Sequence, residues 1–280
     1  MTRTTGNPKQ EGTMDRLKDG MKWMWSLGDY GAVAQRLMPY AEALVEAVGI
    51  CPGMTVLDVA AGDGNFAIAA ARGGAAVTAS DLTPRMVALG RARSEAEGFA
   101  IAWQEADAEE LPFGADRFDV VASVFGAMFA PRPERMAAEL FRVVRPGGIV
   151  AMANYASRGF LGQFSALMTQ YGPPAPTALP SPFLWGDADE VRQRFAGLAS
   201  VIEVEERTLT FAFDSVEQGL EFWERTNPPL IALRSIAPPE TYRALWEQAA
   251  RLLAELNRAD NGRLVLDSEY VQVIARKSAS

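Results

Sequence analysis

The chain of 280 residues contains no histidine. This absence excludes catalysis by an imidazole acid or base, a serine–histidine–aspartate triad and the most common metal ligand. Zinc would have to be held by carboxylates alone, and no suitable cluster of them stands out. We therefore expect no metal site, and the sequence identifies no catalytic residue.

Cysteine is nearly absent as well, because Cys51 is the only one. An intrachain disulfide is impossible, and we expect a cytoplasmic protein. No apolar run is long enough to span a bilayer, and no secretory signal is recognisable. The 35 acidic and 27 basic residues give a net charge of −8, which disfavours nucleic acids and anionic membranes as partners.

The most informative stretch is VLDVAAGDGNF, residues 56–66. It is typical of a buried strand that runs through a glycine-rich turn into a helix. Asp58 interrupts the apolar run, and a buried carboxylate is costly unless it has a partner. Gly62 and Gly64 let the backbone turn sharply and approach a ligand closely, next to a helix N-terminus that can bind an anion.

This turn alone leaves its ligand open. Residues 62–67 fit the pattern G-x-G-x-x-A of dinucleotide-binding proteins, which is weak evidence by itself. An ordinary strand-to-helix turn without a ligand fits the same residues. The position of Asp58 before the first glycine and the segments downstream separate these interpretations.

Two further predicted strands each end in an acidic residue. The first, residues 76–81, ends at Asp81, where a carboxylate can accept both hydroxyls of a ribose. The second, residues 101–107, ends at Asp107, which could accept the exocyclic amine of an adenine with Ala108 beside the ring. The sequence therefore predicts a nucleoside site at the ends of neighbouring strands.

The alternation of strands and helices continues downstream. A fourth strand over residues 118–125 precedes a helix, and the turn at residues 145–148 leads into a fifth strand over residues 149–154. Apolar strands that alternate with helices predict a doubly wound parallel sheet.

Five segments, in their order and spacing, resemble the class I S-adenosylmethionine (SAM)-dependent methyltransferases. The segments are VLDVAAGDG, SDLTPRM, EADAEELPF, FDVVASVFGAMF and FRVVRPGG, within residues 54–155. The most similar branch is the small-molecule one typified by ubiquinone and menaquinone C-methyltransferases. The resemblance implies SAM as cofactor, S-adenosylhomocysteine (SAH) as product, and a seven-stranded Rossmann-like α/β sheet whose last strand is antiparallel and inserted between the fifth and sixth.

The resemblance also implies which residues contact SAM. They are Asp58, Ala60, Ala61, Gly62, Gly64, Asn65, Asp81, Leu82, Met86, Asp107, Ala108, Ser123, Val124 and Phe125. By this resemblance residues 60–64 hold the methionine part with support from Asp58, and Asp81 holds the ribose. Leu82 and Met86 flank the adenine, Asp107 and Ala108 read its edge, and residues 123–125 lie beneath the sulfonium.

The remaining chain fits this plan. We expect a disordered tail (1–19), N-terminal helices over the site (20–50), a SAM-binding core (51–155), a lid (156–186), and the rest of the sheet (187–280) with a helical cap insertion (214–262). We expect the acceptor pocket to be lined by Trp23, Trp25, Tyr30, Met128 and Trp185, although the two N-terminal tryptophans could instead pack their helix onto the domain.

The segment Asn-Pro-Pro-Leu at residues 227–230 resembles the NPPY motif of amino-group methyltransferases. It lies in the C-terminal insertion instead of after the fourth strand, and it lacks the aromatic residue. A nucleobase or protein-glutamine acceptor is therefore disfavoured.

These features predict a SAM-dependent methyltransferase that acts on an O, N or C atom of a small organic acceptor, in secondary metabolism. Without histidine, phenol, enol-carbon or amine acceptors are favoured over plain alcohols, which need a base. Two alternatives stay open: a protein of this fold that uses SAM structurally or in a cyclisation, and an NAD-linked oxidoreductase. The sequence leaves the acceptor and the oligomeric state open, with a homodimer among the possible assemblies.

Overall fold

The computed structural model describes residues 8–174 and 179–279. Within these ranges the strands are β1 (Thr55–Val59), β2 (Ala76–Asp81), β3 (Ala102–Glu105), β4 (Phe118–Val124), β5 (Val144–Tyr155), β6 (Ala199–Phe213) and β7 (Leu264–Lys277). The α-helices there are α1 (Pro8–Trp25), α2 (Tyr30–Val48), α3 (Asn65–Arg72), α4 (Pro84–Ala96), α5 (Pro133–Val143), α6 (Phe160–Tyr171), α7 (Ala188–Phe195), α8 (Val216–Thr226), α9 (Pro228–Ile236) and α10 (Pro239–Leu256). Two short 3-10 helices span Ala127–Phe129 and Pro182–Gly186.

The strands form one sheet in the order β3-β2-β1-β4-β5-β7-β6. The pairs from β3 to β5 are parallel, whereas β7 pairs antiparallel with both β5 and β6. The last strand is thus inserted between the fifth and the sixth. The predicted seven-stranded, doubly wound Rossmann-like sheet is confirmed.

The central strand β1 is buried on both faces because alternate side chains enter different apolar clusters. Leu57 and Val59 pack with residues of α5, and Val56 packs with residues of α2 and α3. Helices therefore cover both faces of the parallel part of the sheet, as its continuous apolar strands predict.

The insertion between β6 and β7 holds three helices, α8, α9 and α10. These helices and α6 pack on the C-terminal half of β6 and the N-terminal half of β7, and together they form a third apolar cluster. Helix α9, which begins immediately after Asn227, is not among the elements predicted from the sequence. The Asn227 Oδ1 accepts a hydrogen bond from the Leu230 N–H at 3.0 Å, so this residue caps the helix. In the described part of the chain, no helix is long and apolar enough to cross a membrane.

The expectation of a disordered tail over residues 1–19 is wrong for most of its length. Residues 8–19 belong to α1, and residues 1–7 lie outside the described ranges. Lys18 binds this helix to the loop after β3 through ion pairs with Asp107 and Glu109, and Trp25 packs on Phe129 with ring centroids 5.0 Å apart. The polar composition of this segment suggested disorder. The partners that order it lie about 90 to 100 positions away in the sequence, so no local pattern reveals them.

Gly90 of α4 provides a test of how this helix packs on the sheet. A Cβ at position 90 would overlap the indole ring of Trp103 on β3. We expect Gly90→Ala to lower the free energy of unfolding by about 1–3 kcal/mol in urea denaturation, because overpacking outweighs the better helix propensity of alanine.

Gly20→Ala in α1 is the matched control for this substitution. No described atom lies within 4 Å of the added methyl. We expect this change to be neutral or to stabilise by up to about 1 kcal/mol. Similar effects of the two substitutions would contradict the packing of α4 on Trp103.

Candidate active site

A first cavity opens at the carboxyl ends of β1, β2 and β4, where the loops that follow parallel strands meet. Its empty space, part of which is open to solvent, measures about 720 Å³ and lies between these loops, the loop after β3 and α1. The predicted site residues on its walls are Ala60, Gly62, Asp81, Leu82, Met86, Asp107, Ala108 and Phe125, together with Trp25 and Tyr30.

Asp81, the last residue of β2, holds the glycine turn against that strand. Its Oδ2 accepts a hydrogen bond from the Gly62 N–H at 2.9 Å, and its Oδ1 accepts one from the Thr83 N–H at 2.8 Å. Burial raises the pKa of Asp81, and the two backbone hydrogen bonds oppose that rise. Each carboxylate oxygen keeps a second lone pair, so the side chain can still accept hydrogen bonds from hydroxyls in the cavity.

A buried ion network lies at the Asp107 end of the first cavity. Lys18 pairs with Asp107 and, at 2.5 Å, with Glu109. Arg132 pairs with the same Glu109 at 2.6 Å. Sequence reasoning missed Lys18, because nothing in the sequence links it to partners about 90 positions away. The Asp107 carboxylate therefore faces the cavity with a cationic partner already in place.

Two non-glycine residues with left-handed backbone conformations flank this cavity. Ala60 has a φ of 53° at the end of β1, and Phe125 has a φ of 58° at the end of β4. The strands are in such close contact here that a Cβ on Gly126 would overlap the Ala60 carbonyl oxygen. Strained residues of this kind cluster at ligand-binding sites, where the surrounding structure holds them in place.

A second cavity of about 740 Å³ lies between α2, α6, α8 and the end of β5. Its walls are mainly aromatic and include Tyr155, Phe164, Phe183, Phe211 and Trp223. Trp25, Tyr30, Phe125 and Phe129 line both this cavity and the first one. The two cavities therefore meet at these four aromatic side chains, where Phe125 stacks on Tyr155 with centroids 4.1 Å apart.

A third, smaller cavity of about 290 Å³ lies beside the glycine turn, and its lining includes Asp58, Ala61, Asp63, Asn65 and Val124. The Asp58 Oδ2 accepts a hydrogen bond from the Ala67 N–H at 2.9 Å. Its Oδ1 is buried and has no hydrogen-bond partner among the described residues. Burial raises the pKa of Asp58 to about 8. An unpaired buried carboxylate oxygen in a cavity is suited to bind a cationic group.

Tyr30 lines all three cavities. Its ring lies against the glycine turn, where a Cβ on Gly62 would be 2.6 Å from the tyrosine oxygen. Burial, with a further contribution from the charge of Asp63, raises the pKa of Tyr30 well above its usual value. The phenol therefore stays neutral and can donate a hydrogen bond.

Three residues predicted for the acceptor pocket line neither of the two large cavities. Trp23 is 46% exposed on α1. Met128 and Trp185 are buried in the apolar cluster around α5, where Trp185 packs on Phe195 and under the Arg194 guanidinium. Aromatic content alone does not reveal which face a residue takes. The structure places these three residues away from both large cavities, whereas Trp25 and Tyr30 line both, and their role at an acceptor stays a prediction.

Three predicted cofactor residues support the site instead of presenting free polar groups. Gly64 packs against Trp103, and the Ser123 Oγ accepts a hydrogen bond from the Ala127 N–H at 2.8 Å. The amide of Asn65 borders the third cavity, but it donates to the Ala34 carbonyl and accepts from Arg93, both at 2.8 Å. These bonds join the glycine turn to α2 and α4.

Sequence reasoning also missed part of the second cavity. Trp223, Asn227 and Pro228 line it from α8 and the start of α9. The Asn-Pro-Pro segment was the available signal, because asparagine followed by proline is a typical helix start. In residues 8–174 and 179–279, no group of three or more acidic or cysteine side chains is arranged to hold a metal ion.

Comparison with known sequences identifies the class. Residues 56–148 match a family model described as a methyltransferase domain. An uncharacterised protein of Mycobacterium tuberculosis is 41% identical over 258 residues, which cover 91% of this chain and 93% of the relative. A demethylmenaquinone methyltransferase of Renibacterium salmoninarum is 34% identical over 164 residues, which cover 59% of this chain and 61% of the relative.

Solved structures share the fold. The phosphoethanolamine N-methyltransferase 2 of Haemonchus contortus, in complex with phosphomonomethylethanolamine and SAH, has a TM-score of 0.55 and 21% identity over 96% of this chain and 59% of its own. The cyclase SpnF has a TM-score of 0.53 and 18% identity over 87% of this chain and 81% of its own. The sheet, the glycine turn and these likenesses define a Rossmann-like methyltransferase. The chain belongs to the same family as the Mycobacterium tuberculosis protein, and its residues 56–148 form a methyltransferase domain. SAM is the cofactor that the sequence predicts.

The residues present fit this cofactor. The Asp81 carboxylate has lone pairs left for a ribose diol, and the orphaned Asp58 Oδ1 matches an ammonium group. The aromatic side chains at the junction of the two large cavities suit a sulfonium, since cations are attracted to aromatic faces.

The raised pKa of Asp58 makes a prediction about proton release. If the ammonium of SAM lies beside Asp58, binding lowers a pKa that is about 8 in the free protein. At pH 7 the free carboxyl is mostly protonated and the bound one ionised, so binding should release about one proton, and affinity should rise with pH up to about 8. Calorimetry in buffers of different ionisation enthalpy measures the release.

Asp58→Asn is the matched variant for this measurement. An asparagine can still accept the hydrogen bond from the Ala67 N–H, but it does not titrate. We expect weaker SAM binding and little proton release. An unchanged release in this variant would show that Asp58 is not its source.

Proposed function

We propose that the protein transfers the methyl group of SAM to an O, N or C atom of a small organic acceptor bound in the second cavity. The observation that carries this proposal is the junction of the two large cavities at Trp25, Tyr30, Phe125 and Phe129. A donor in the first cavity and an acceptor in the second would meet there. A role in secondary metabolism and a cytoplasmic location stay predictions, as does a homodimer.

In this proposal the adenosine occupies the first cavity. Asp81 binds the ribose hydroxyls, Leu82 and Met86 flank the adenine, and Asp107 with Ala108 meets its edge. The amino-acid part occupies the third cavity, where Asp58 binds its ammonium group. Separate acidic groups at the two ends of the ligand would fix its orientation relative to the junction.

Bound SAM supplies an activated methyl group on a sulfonium, so the chain need only align an acceptor and exclude water. Alignment alone can contribute about 7–11 kcal/mol in favourable cases. The aromatic junction keeps water away from the bond that breaks. Tyr30 and Tyr155 have pKa values raised by burial, so they act as neutral hydrogen-bond donors and not as bases.

This lack of a base limits the acceptor. No described residue lining the second cavity is acidic, basic or histidine. A nucleophile that ionises readily or has a free lone pair, such as a phenol, an enol carbon or an amine, therefore suits the site better than a plain alcohol.

A second candidate function keeps the cofactor without methyl transfer. It is favoured by the fold likeness to the cyclase SpnF. In that case the second cavity would hold a molecule that cyclises beside a bound cofactor. Release of SAH in step with product would support methyl transfer, and product without SAH would support the alternative.

Asp81→Ala tests the position of the ribose. Loss of hydrogen bonds to a charged group should weaken SAM binding by at least about 10-fold in calorimetry. Glu105→Ala is the matched control, because Glu105 ends β3 at the position that pairs with Asp81 and lies outside the first cavity. Equal affinities in the two variants would contradict the assignment.

Ser165→Trp tests the acceptor site. Ser165 lines the second cavity from α6, so a bulky side chain there should block the acceptor and leave SAM binding unchanged. The reaction is followed with labelled SAM and a metabolite extract, read by mass spectrometry. We expect labelled product from the wild type and a loss of at least about 10-fold in the variant.

Ala166→Trp is the control for this substitution, because residue 166 is exposed on the same helix and does not line the second cavity. We expect it to keep the activity of the wild type. Full activity in Ser165→Trp would mean that the acceptor binds elsewhere.

A further inference from the structure

The wall of the second cavity is uncharged wherever the structure describes it. Its polar side chains are those of Trp25, Tyr30, Tyr155, Ser165, Trp223, Thr226 and Asn227. An ionised group buried among them would lose its hydration without gaining a partner of opposite charge. The cavity is thus suited to a neutral molecule, in contrast to the first and third cavities with their carboxylates.

Trp223 provides an unused hydrogen-bond donor at this wall. The residue is 2% exposed, and its indole N–H has no hydrogen-bond partner among the described residues. The ring is held rigidly by Phe211 and Phe222, with centroids 4.9 and 5.2 Å away. Buried N–H groups are nearly always paired, whereas this one has no partner within the described protein. It is therefore available to donate to an oxygen atom on a molecule in the cavity.

Asn227 provides a second donor one helical turn away. Its backbone N–H bonds the Trp223 carbonyl at 2.9 Å, so the two residues are linked at the end of α8. The side-chain Oδ1 caps α9 by accepting from the Leu230 N–H, which fixes the orientation of the amide. Its Nδ2 has no hydrogen-bond partner in the described chain and lies on a residue that lines the same cavity.

We propose that Trp223 and Asn227 recognise a hydrogen-bond-accepting oxygen, such as a carbonyl, on an uncharged, flat aromatic acceptor. This inference rests on the proposed function, because it specifies the molecule that the second cavity holds. The aromatic walls stack on the ring system, and the two N–H donors bind its oxygen at the α8 end. The opposite end of the molecule then reaches Tyr30 and Phe125 at the junction with the first cavity.

The test uses protein saturated with SAH, so that probes enter the second cavity and not the first. The probes are 2-acetylnaphthalene, 2-ethylnaphthalene, which lacks the oxygen, and 2-naphthoate, which is an anion. Equilibrium dialysis measures each affinity. We expect the ketone to bind at least about 10-fold more tightly than either of the others.

Two variants remove the donors without removing the structural roles of the residues. Trp223→Phe keeps an aromatic ring, and Asn227→Asp keeps an oxygen that can cap α9. Each variant should weaken the affinity for the ketone by about 5- to 30-fold. Trp223→Phe should also leave the affinities for 2-ethylnaphthalene and SAH unchanged. Trp246→Phe in α10, outside the second cavity, is the control and should change nothing.

The outcomes separate this inference from the proposed function. If SAH does not bind, the proposed function fails and this inference fails with it. If SAH binds but the ketone gains nothing over 2-ethylnaphthalene, if 2-naphthoate binds best, or if Trp223→Phe binds the ketone as the wild type does, only the recognition by Trp223 and Asn227 is overturned.

Discussion

The buried carboxylate of Asp81 is the contact on which the site depends. It accepts hydrogen bonds from backbone N–H groups on both sides, from the glycine turn after β1 and from the start of α4. These bonds fix the turn relative to β2 and offset the cost of burying the carboxyl group. The same oxygens face the first cavity. One side chain thus connects the geometry of the sheet to the chemistry of the nucleoside site.

Charge and polarity divide the site along a clear line. Carboxylates surround the cofactor side, with Asp58 and Asp63 at one end and Asp107 at the other. Aromatic and neutral polar groups surround the other side. When the methyl group moves, the positive charge of the sulfonium is neutralised by an anionic acceptor or passes to a neutral one, and a dry junction favours the first case. The division therefore agrees with methyl transfer from one cavity to the other.

Local sequence signals predicted the parts of this structure that depend on local rules. Apolar runs marked the parallel strands, and glycine and acidic residues at their ends marked the turn and Asp81, because strand burial and strand-end geometry follow from composition and spacing. Asn227 was visible too, but its segment was compared with a motif and not recognised as the cap of α9.

Contacts between distant segments could not be predicted in this way. Helix α1 is held on the domain by ion pairs of Lys18 with Asp107 and Glu109, and these pairs form only in the folded chain. Trp185 and Met128 have large apolar side chains of the type that lines pockets. The packing of α5 and α7 nevertheless places them in the core. The shared aromatic junction likewise depends on α1, α2 and the segment after β4 meeting in space.

In the proposed function, one ligand spans the first and third cavities and leaves the second free for an acceptor. A crystal structure of the protein with SAH tests it most directly. We expect the ribose on Asp81, the amino group beside Asp58, the sulfur at the aromatic junction, and an open second cavity. An amino-acid tail in the second cavity, or a ribose away from Asp81, would contradict it.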